Sequence, residues 1–149
     1  MGLPSSQIRV FMKLNPTNFA IIQAEFGDII IDILDGDGYQ KSTGFIQRKT
    51  IRMIDGSYLR IREFLTKNQQ IDRYYYDWFA VDGKILLKFH SESHDKDARY
   101  QTKTEPFHIH IPDELSLSTL TRIPNYNLRE LYGILEFIRL HLTLVQLYR

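Results

Sequence analysis

Asp55-Gly56-Ser57-Tyr58-Leu59-Arg60-Ile61-Arg62-Glu63-Phe64-Leu65 reads as a tight turn that runs into a strand. Asp-Gly suits a turn whose positions need positive φ, the usual short link between antiparallel strands. After it the side chains alternate. Leu59, Ile61 and Glu63 share one side, and Tyr58, Arg60, Arg62 and Phe64 share the other. Residues 44–54, just before the turn, are rich in β-branched and aromatic types, so the two segments predict a hairpin. Residues 66–70 form a polar turn. Residues 71–81 form a third strand, with Arg73, Tyr75 and Asp77 alternating against Tyr74, Tyr76 and Trp78. Asp82-Gly83 repeats the turn signal, and residues 84–90 form a fourth strand with Leu86, Lys88 and His90 on one side. Residues 91–105 carry many charges and no apolar period, which reads as a mobile loop. Phe107-His108-Ile109-His110-Ile111 is a short fifth strand whose two histidines point the same way.

Outward from this meander the periodicity changes. Residues 6–15 read as a short arm or edge strand. Pro16-Thr17-Asn18 looks like a helix entry, and Phe19, Ile22, Phe26, Ile29, Ile30 and Ile33 fall on one helical face. The spacing predicts one helix ending near Leu34. Gly27 and the β-branched run after it leave a helix to Phe26 followed by a strand as the alternative. Asp35-Gly36-Asp37-Gly38 is a turn or flexible loop, and residues 112–113 and 122–125 are connectors. The last element is a helix, capped by Asn125 or Asn127. Its apolar stripe is Leu128, Leu131, Leu135, Ile138, Leu142 and Val145. The predicted fold class is α+β: an N-terminal helix, an antiparallel β-meander of about five strands, and a long C-terminal helix packed on the sheet.

The chain has 149 residues, a length that fits a single domain over 1–149. It contains no cysteine, so disulfides and zinc-thiolate sites are excluded, and a reducing, cytoplasmic setting is expected. No signal peptide and no membrane span is visible in the sequence. The net charge of +1 hides a dipolar layout. Residues 16–40 carry Glu25, Asp28, Asp32, Asp35 and Asp37 with no Lys or Arg. Residues 45–75 carry seven bases against three acids. Such a basic segment meets a polyanion or forms a solvated strand face. Four of the five histidines fall between Asp82 and Ile111, the only concentrated acid–base or ligand chemistry in the sequence.

Several of these stretches together resemble a known family. Asp55-Gly56-Ser57, Tyr74-Tyr75-Tyr76-Asp77-Trp78, Asp82-Gly83-Lys84, the loop with His94, and Pro106-Phe107-His108-Ile109-His110 come in the order and spacing of TumE-type toxins of prokaryotic toxin–antitoxin modules. Two positions depart from the pattern. Phe107 stands where the family often has the first histidine of a Pro-His-His-x-His run, and His94 is followed by Asp95 rather than a second histidine. The resemblance implies a cytoplasmic toxin with a cognate antitoxin as partner, as a homodimer or as a hetero-oligomer with the antitoxin. By analogy with toxins of this size it also implies a small ribonuclease, hence an RNA substrate. The acidic segment 25–37 or the apolar terminal helix would then be available to the partner.

Within that reading His108 and His110 are the acid–base candidates, with His94 assisting and His90 ranked behind them. Catalysis without a cofactor is the expectation. His-x-His is also a chelating pattern, so a divalent metal held by His94, His108 and His110, completed by Asp95 or Asp97, is the alternative. Arg60, Arg62 and Arg73 are the phosphate-holding candidates, with Lys88 beside them and Tyr75 orienting the phosphate. Glu63 is a general base or a buried structural partner. Tyr74, Tyr76 and Trp78 form a stripe that packs in a core or stacks unpaired bases. His141 reads as a packing residue of the terminal helix. A non-catalytic module binding RNA or protein is the alternative function.

Overall fold

The computed structural model describes residues 14–92, 98–112 and 121–147. Helix α1 (Phe19–Glu25) leads into strands β1 (Ile30–Asp35), β2 (Ile46–Met53), β3 (Tyr58–Leu65), β4 (Ile71–Phe79) and β5 (Ile85–Ser91). A single 3-10 turn (Ala98–Tyr100) precedes β6 (Phe107–Ile111) and β7 (Thr121–Pro124), and helix α2 (Leu131–Leu147) closes the order. Among the described residues the strands form one seven-stranded antiparallel sheet in sequence order, β1 to β7. Each strand thus pairs with its chain neighbour, as expected where the connections are short turns. Gly56 and Gly83, with φ of 87° and 85°, sit at the two Asp-Gly turns that the sequence marks.

The fold is α+β as expected, but the sheet has seven strands rather than about five. One extra strand comes from the segment read as a single long helix. The helix stops at Glu25, Phe26 closes it by donating to the Ile22 carbonyl, and Ile30–Asp35 pairs with β2. Gly27 and the β-branched run of isoleucines decide this, since both disfavour helix and the branched side chains suit a pleat. The other extra strand is Thr121–Pro124, read as a connector, which pairs His110 with Arg122 and Ile109 with Ile123. It is only four residues long and ends in proline, as an edge strand can. Asn18 caps α1 by accepting from the backbone N–H groups of Ala20 and Ile21. Before α2, Asn125 accepts from the Leu128 N–H at 2.9 Å and donates to the Leu128 carbonyl at 2.7 Å. Residues 6–13 of the expected arm lie outside the described residues.

One sheet face carries the hydrophobic core. Leu59, Ile61, Tyr74, Tyr76, Trp78, Phe89, Phe107 and Ile109 are buried there, and α2 adds Leu131, Ile134, Leu135, Ile138 and Leu142 to the same core. Val145, expected in the stripe, is 37% exposed. Tyr74 and Tyr76 stack at 4.1 Å, and Trp78 meets Phe137 and His141 edge-on. The aromatic stripe is therefore core rather than a platform for bases. His141 itself stays exposed. Arg139 binds α2 to the end of α1, reaching the Glu25 carbonyl and the Asp28 carboxylate.

Strand pairing neutralises part of the dipolar charge layout. Register sets Asp32 opposite Arg52 and Asp35 opposite Lys49. Arg52 grips Asp32 through two guanidinium nitrogens, and Lys49 reaches Asp35 at 3.2 Å. Arg48 lies 3.7 Å from Asp37. Asp32, Asp35 and Asp37 thus have their cations already, on the adjoining strand. No helix among the described residues is long and apolar enough to cross a membrane.

Candidate functional site

The second face of the sheet, away from the core, is built from the residues that alternate with it. Cross-strand register lays them in two rows. Arg48, Arg62, Tyr75, His90, His108 and Pro124 form one row. Thr50, Arg60, Asp77, Lys88, His110 and Arg122 form the next. Cross-strand neighbours on one face lie about 5 Å apart, so the rows place basic, acidic and imidazole groups in contact range.

Three histidines meet where the rows cross β5 and β6. The ring centroids of His90 and His110 are 4.5 Å apart, those of His108 and His110 4.8 Å, and those of His90 and His108 5.8 Å. One ring nitrogen from each lies within 4.8 Å of the other two. All three are buried, with relative exposures of 9% for His90, 0% for His108 and 7% for His110. Two carboxylates hold this group from its sides. Asp77 Oδ1 is 2.8 Å from His90 Nε2, and Asp77 Oδ2 is 4.0 Å from Arg62. Glu105 Oε2 is 3.5 Å from His108 Nδ1, while its other oxygen accepts from the Thr102 N–H at 3.0 Å. His110 Nε2 is buried with no hydrogen-bond partner. Burial, followed by the positive partners His90, His108, Arg122 and Lys88, pushes the His110 imidazole down to about 3. At neutral pH that ring is uncharged.

Around the histidines the cations stand half-exposed. Arg62 lies over the Tyr75 ring at 4.7 Å, and Tyr75 meets His90 edge-on at 4.8 Å. The Tyr75 hydroxyl donates to Glu92, and burial together with that carboxylate pushes it up to about 12. The hydroxyl expected to orient a phosphate is thus already committed to a carboxylate. Arg60 is stacked among Tyr39, Tyr58 and Phe79 at 5.0–5.4 Å. It sits two positions from Arg62 on the same face. Arg73 lies exposed over the Phe64 ring at 4.3 Å, at the far margin of the face. Lys88 sits directly between Asp77 and His110 in the second row.

Glu63 is on the other face. It is fully buried against the core, accepts from the Thr17 N–H at 3.1 Å, and burial raises its carboxyl above the usual range. The sheet separates it from the histidines, so it cannot exchange protons with them. His94, Asp95 and Asp97 lie outside the described residues. His90, ranked last by sequence, is in contact with both His108 and His110. Asp77, Glu92, Glu105 and Arg122 carry contacts of this site that the sequence reading did not assign. A mid-strand aspartate between Tyr75 and Trp78, on the same side as Arg73 and Tyr75, was the available signal for Asp77.

No curated protein and no solved structure matches the chain. A family model described as Toxin TumE matches residues 21–140, a span holding all seven strands and every histidine of the buried group.

Proposed function

The chain belongs to the Toxin TumE family, and on that premise we propose that it is the toxin component of a toxin–antitoxin module that cleaves RNA at the histidine face of its sheet. One observation carries the reading. Three imidazoles on β5 and β6 stand on the same face as Lys88 of β5 and Arg62 of β3. Cations in that position suit a phosphodiester, and charge developing on its oxygens during cleavage would be stabilised by them. Cleavage needs a group that takes the proton of a ribose 2′-hydroxyl. The 2′-oxygen then bonds to phosphorus as the 5′-oxygen leaves and is reprotonated. The histidine group is the reaction centre in this reading, with Arg62, Arg60 and Lys88 holding phosphate and Arg73 extending the cationic margin. Asp77 orients His90 and Arg62 together, since it touches both. Access is from the Arg62 and Lys88 side, where the side chains are half-exposed, because His108 is sealed.

The partner in this reading is a cognate antitoxin. Its seat is the solvent side of α2, where Tyr132, Leu140 and Leu144 are exposed. The acidic segment is a poorer seat, because its carboxylates are neutralised within the fold.

The test is incubation of purified protein with end-labelled RNA. We expect fragments carrying 5′-hydroxyl ends, and a rate reduced at least tenfold by Arg62→Ala and by Lys88→Ala with an unchanged circular dichroism spectrum. Binding of RNA without any cleavage would replace this reading with that of a non-catalytic RNA-binding module.

A further inference from the structure

We propose that His90, His108 and His110 together bind one divalent transition-metal ion. The set differs from the sequence-based metal alternative, because it takes His90 from β5 and does not require His94. Four features support it. Each histidine offers one ring nitrogen within 4.8 Å of the other two, which is the right number of ligands for an imidazole site with an open position. Zinc–imidazole bonds of about 2.1 Å would put the three nitrogens roughly 3.4 Å apart, so nitrogens within 4.8 Å of one another need close by at most about 1.4 Å. His110 Nε2 is buried with no hydrogen-bond partner, and a buried polar atom in that state costs free energy that a ligand would recover. Asp77 holds Nε2 of His90 at 2.8 Å, which fixes the ring, and the ion would take the other nitrogen. Glu105 stands farther from Nδ1 of His108, at 3.5 Å, within ion-pair range. Carboxylates behind metal-bound imidazoles orient them and raise their basicity.

The ligand chemistry narrows the ion. Three imidazole nitrogens without thiolate suit Zn, Ni, Co or Fe rather than Mg or Ca, which prefer oxygen. Lys88 and Arg122 flank His110 on either strand and oppose a bare cation. They favour an anion on the ion's open position, and a phosphate oxygen fits there. That last point rests on the RNA-cleavage reading, whereas metal binding itself does not.

The experiment uses the whole chain, stripped with a chelator and then titrated with Co²⁺ or Zn²⁺ alone. We expect one equivalent of ion per chain by calorimetry and visible d–d absorption from bound Co²⁺. Asp77→Asn should weaken binding about 10–100-fold. His110→Ala should abolish it, and His141→Ala should leave it unchanged. Should His110→Ala fail to fold, the imidazole resonances of the wild-type chain give an independent reading: three rings shift with Zn²⁺ while that of His141 does not. Absence of Co²⁺ and Zn²⁺ binding to the folded wild type would overturn the proposal, as would binding that survives His110→Ala in a folded variant. Metal binding without RNA cleavage would keep this proposal and overturn the cleavage reading. Cleavage by a chain that binds no metal would do the reverse.

Discussion

Glu63 is a buried carboxylate opposite Tyr74 on the core face, held by the backbone and side chain of Thr17 and by Tyr76. Burial raises its carboxyl above the ordinary value of 4.5. Between that value and the raised one, the folded chain holds a proton that the unfolded chain has released. Its contribution to stability is therefore complete below about 4.5 and is lost as pH rises through the folded value. Glu63→Gln should melt higher than the wild type at pH 8, and the gap should shrink towards pH 4.5. A gap of constant size across that range would show that Glu63 does not titrate differently on folding. At this scale the sequence was informative about identity and less so about company. The period of two put His108 and His110 on one side, and that held because it depends on a single strand. The placing of His90 opposite His108, and of Asp77 behind His90, depends on the register of β4, β5 and β6, which no local pattern states.

Turns and strand ends decide the elements. At Gly56 a Cβ would stand 2.8 Å from Val81 Cγ2, and φ is +87°. The first Asp-Gly turn therefore lies against the second, and its glycine is required both for backbone conformation and for space. Gly56→Ala should destabilise the chain by about 1–3 kcal/mol, seen as a lower urea midpoint with an unchanged slope. An unchanged midpoint would mean that the two turns do not pack as described. The two Asp-Gly turns were legible because their chemistry is local. The boundary at Glu25 was harder. Ile22, Phe26, Ile29, Ile30 and Ile33 satisfy a helical period, but Ile29 and Ile30 reach the core from a turn and a strand instead. There the apolar residues serve two elements in succession, so a single continuous stripe mimics one helix. Thr121–Pro124 carries no strand signal because a four-residue edge strand has too few alternations to show a period.

Across the whole molecule the sheet works as a partition. Its core face takes α2, the aromatic stripe and Glu63. Its other face collects the cations of β2 and β3, the Asp77–His90 pair and the histidines of β6. Part of the charge asymmetry along the chain is absorbed by pairing of β1 with β2, where Arg52 and Lys49 meet Asp32 and Asp35 across one ladder. What remains for a substrate is the second face, and the central claim is that the toxin works there. The most direct measurement is growth of bacteria after induction of the wild-type chain, of Arg62→Ala and of His110→Ala, at matched protein levels and with folding checked by circular dichroism. The account predicts arrest by the wild type and at least partial relief in both folded variants, greater for His110→Ala. Arrest as complete in both folded variants as in the wild type would contradict it.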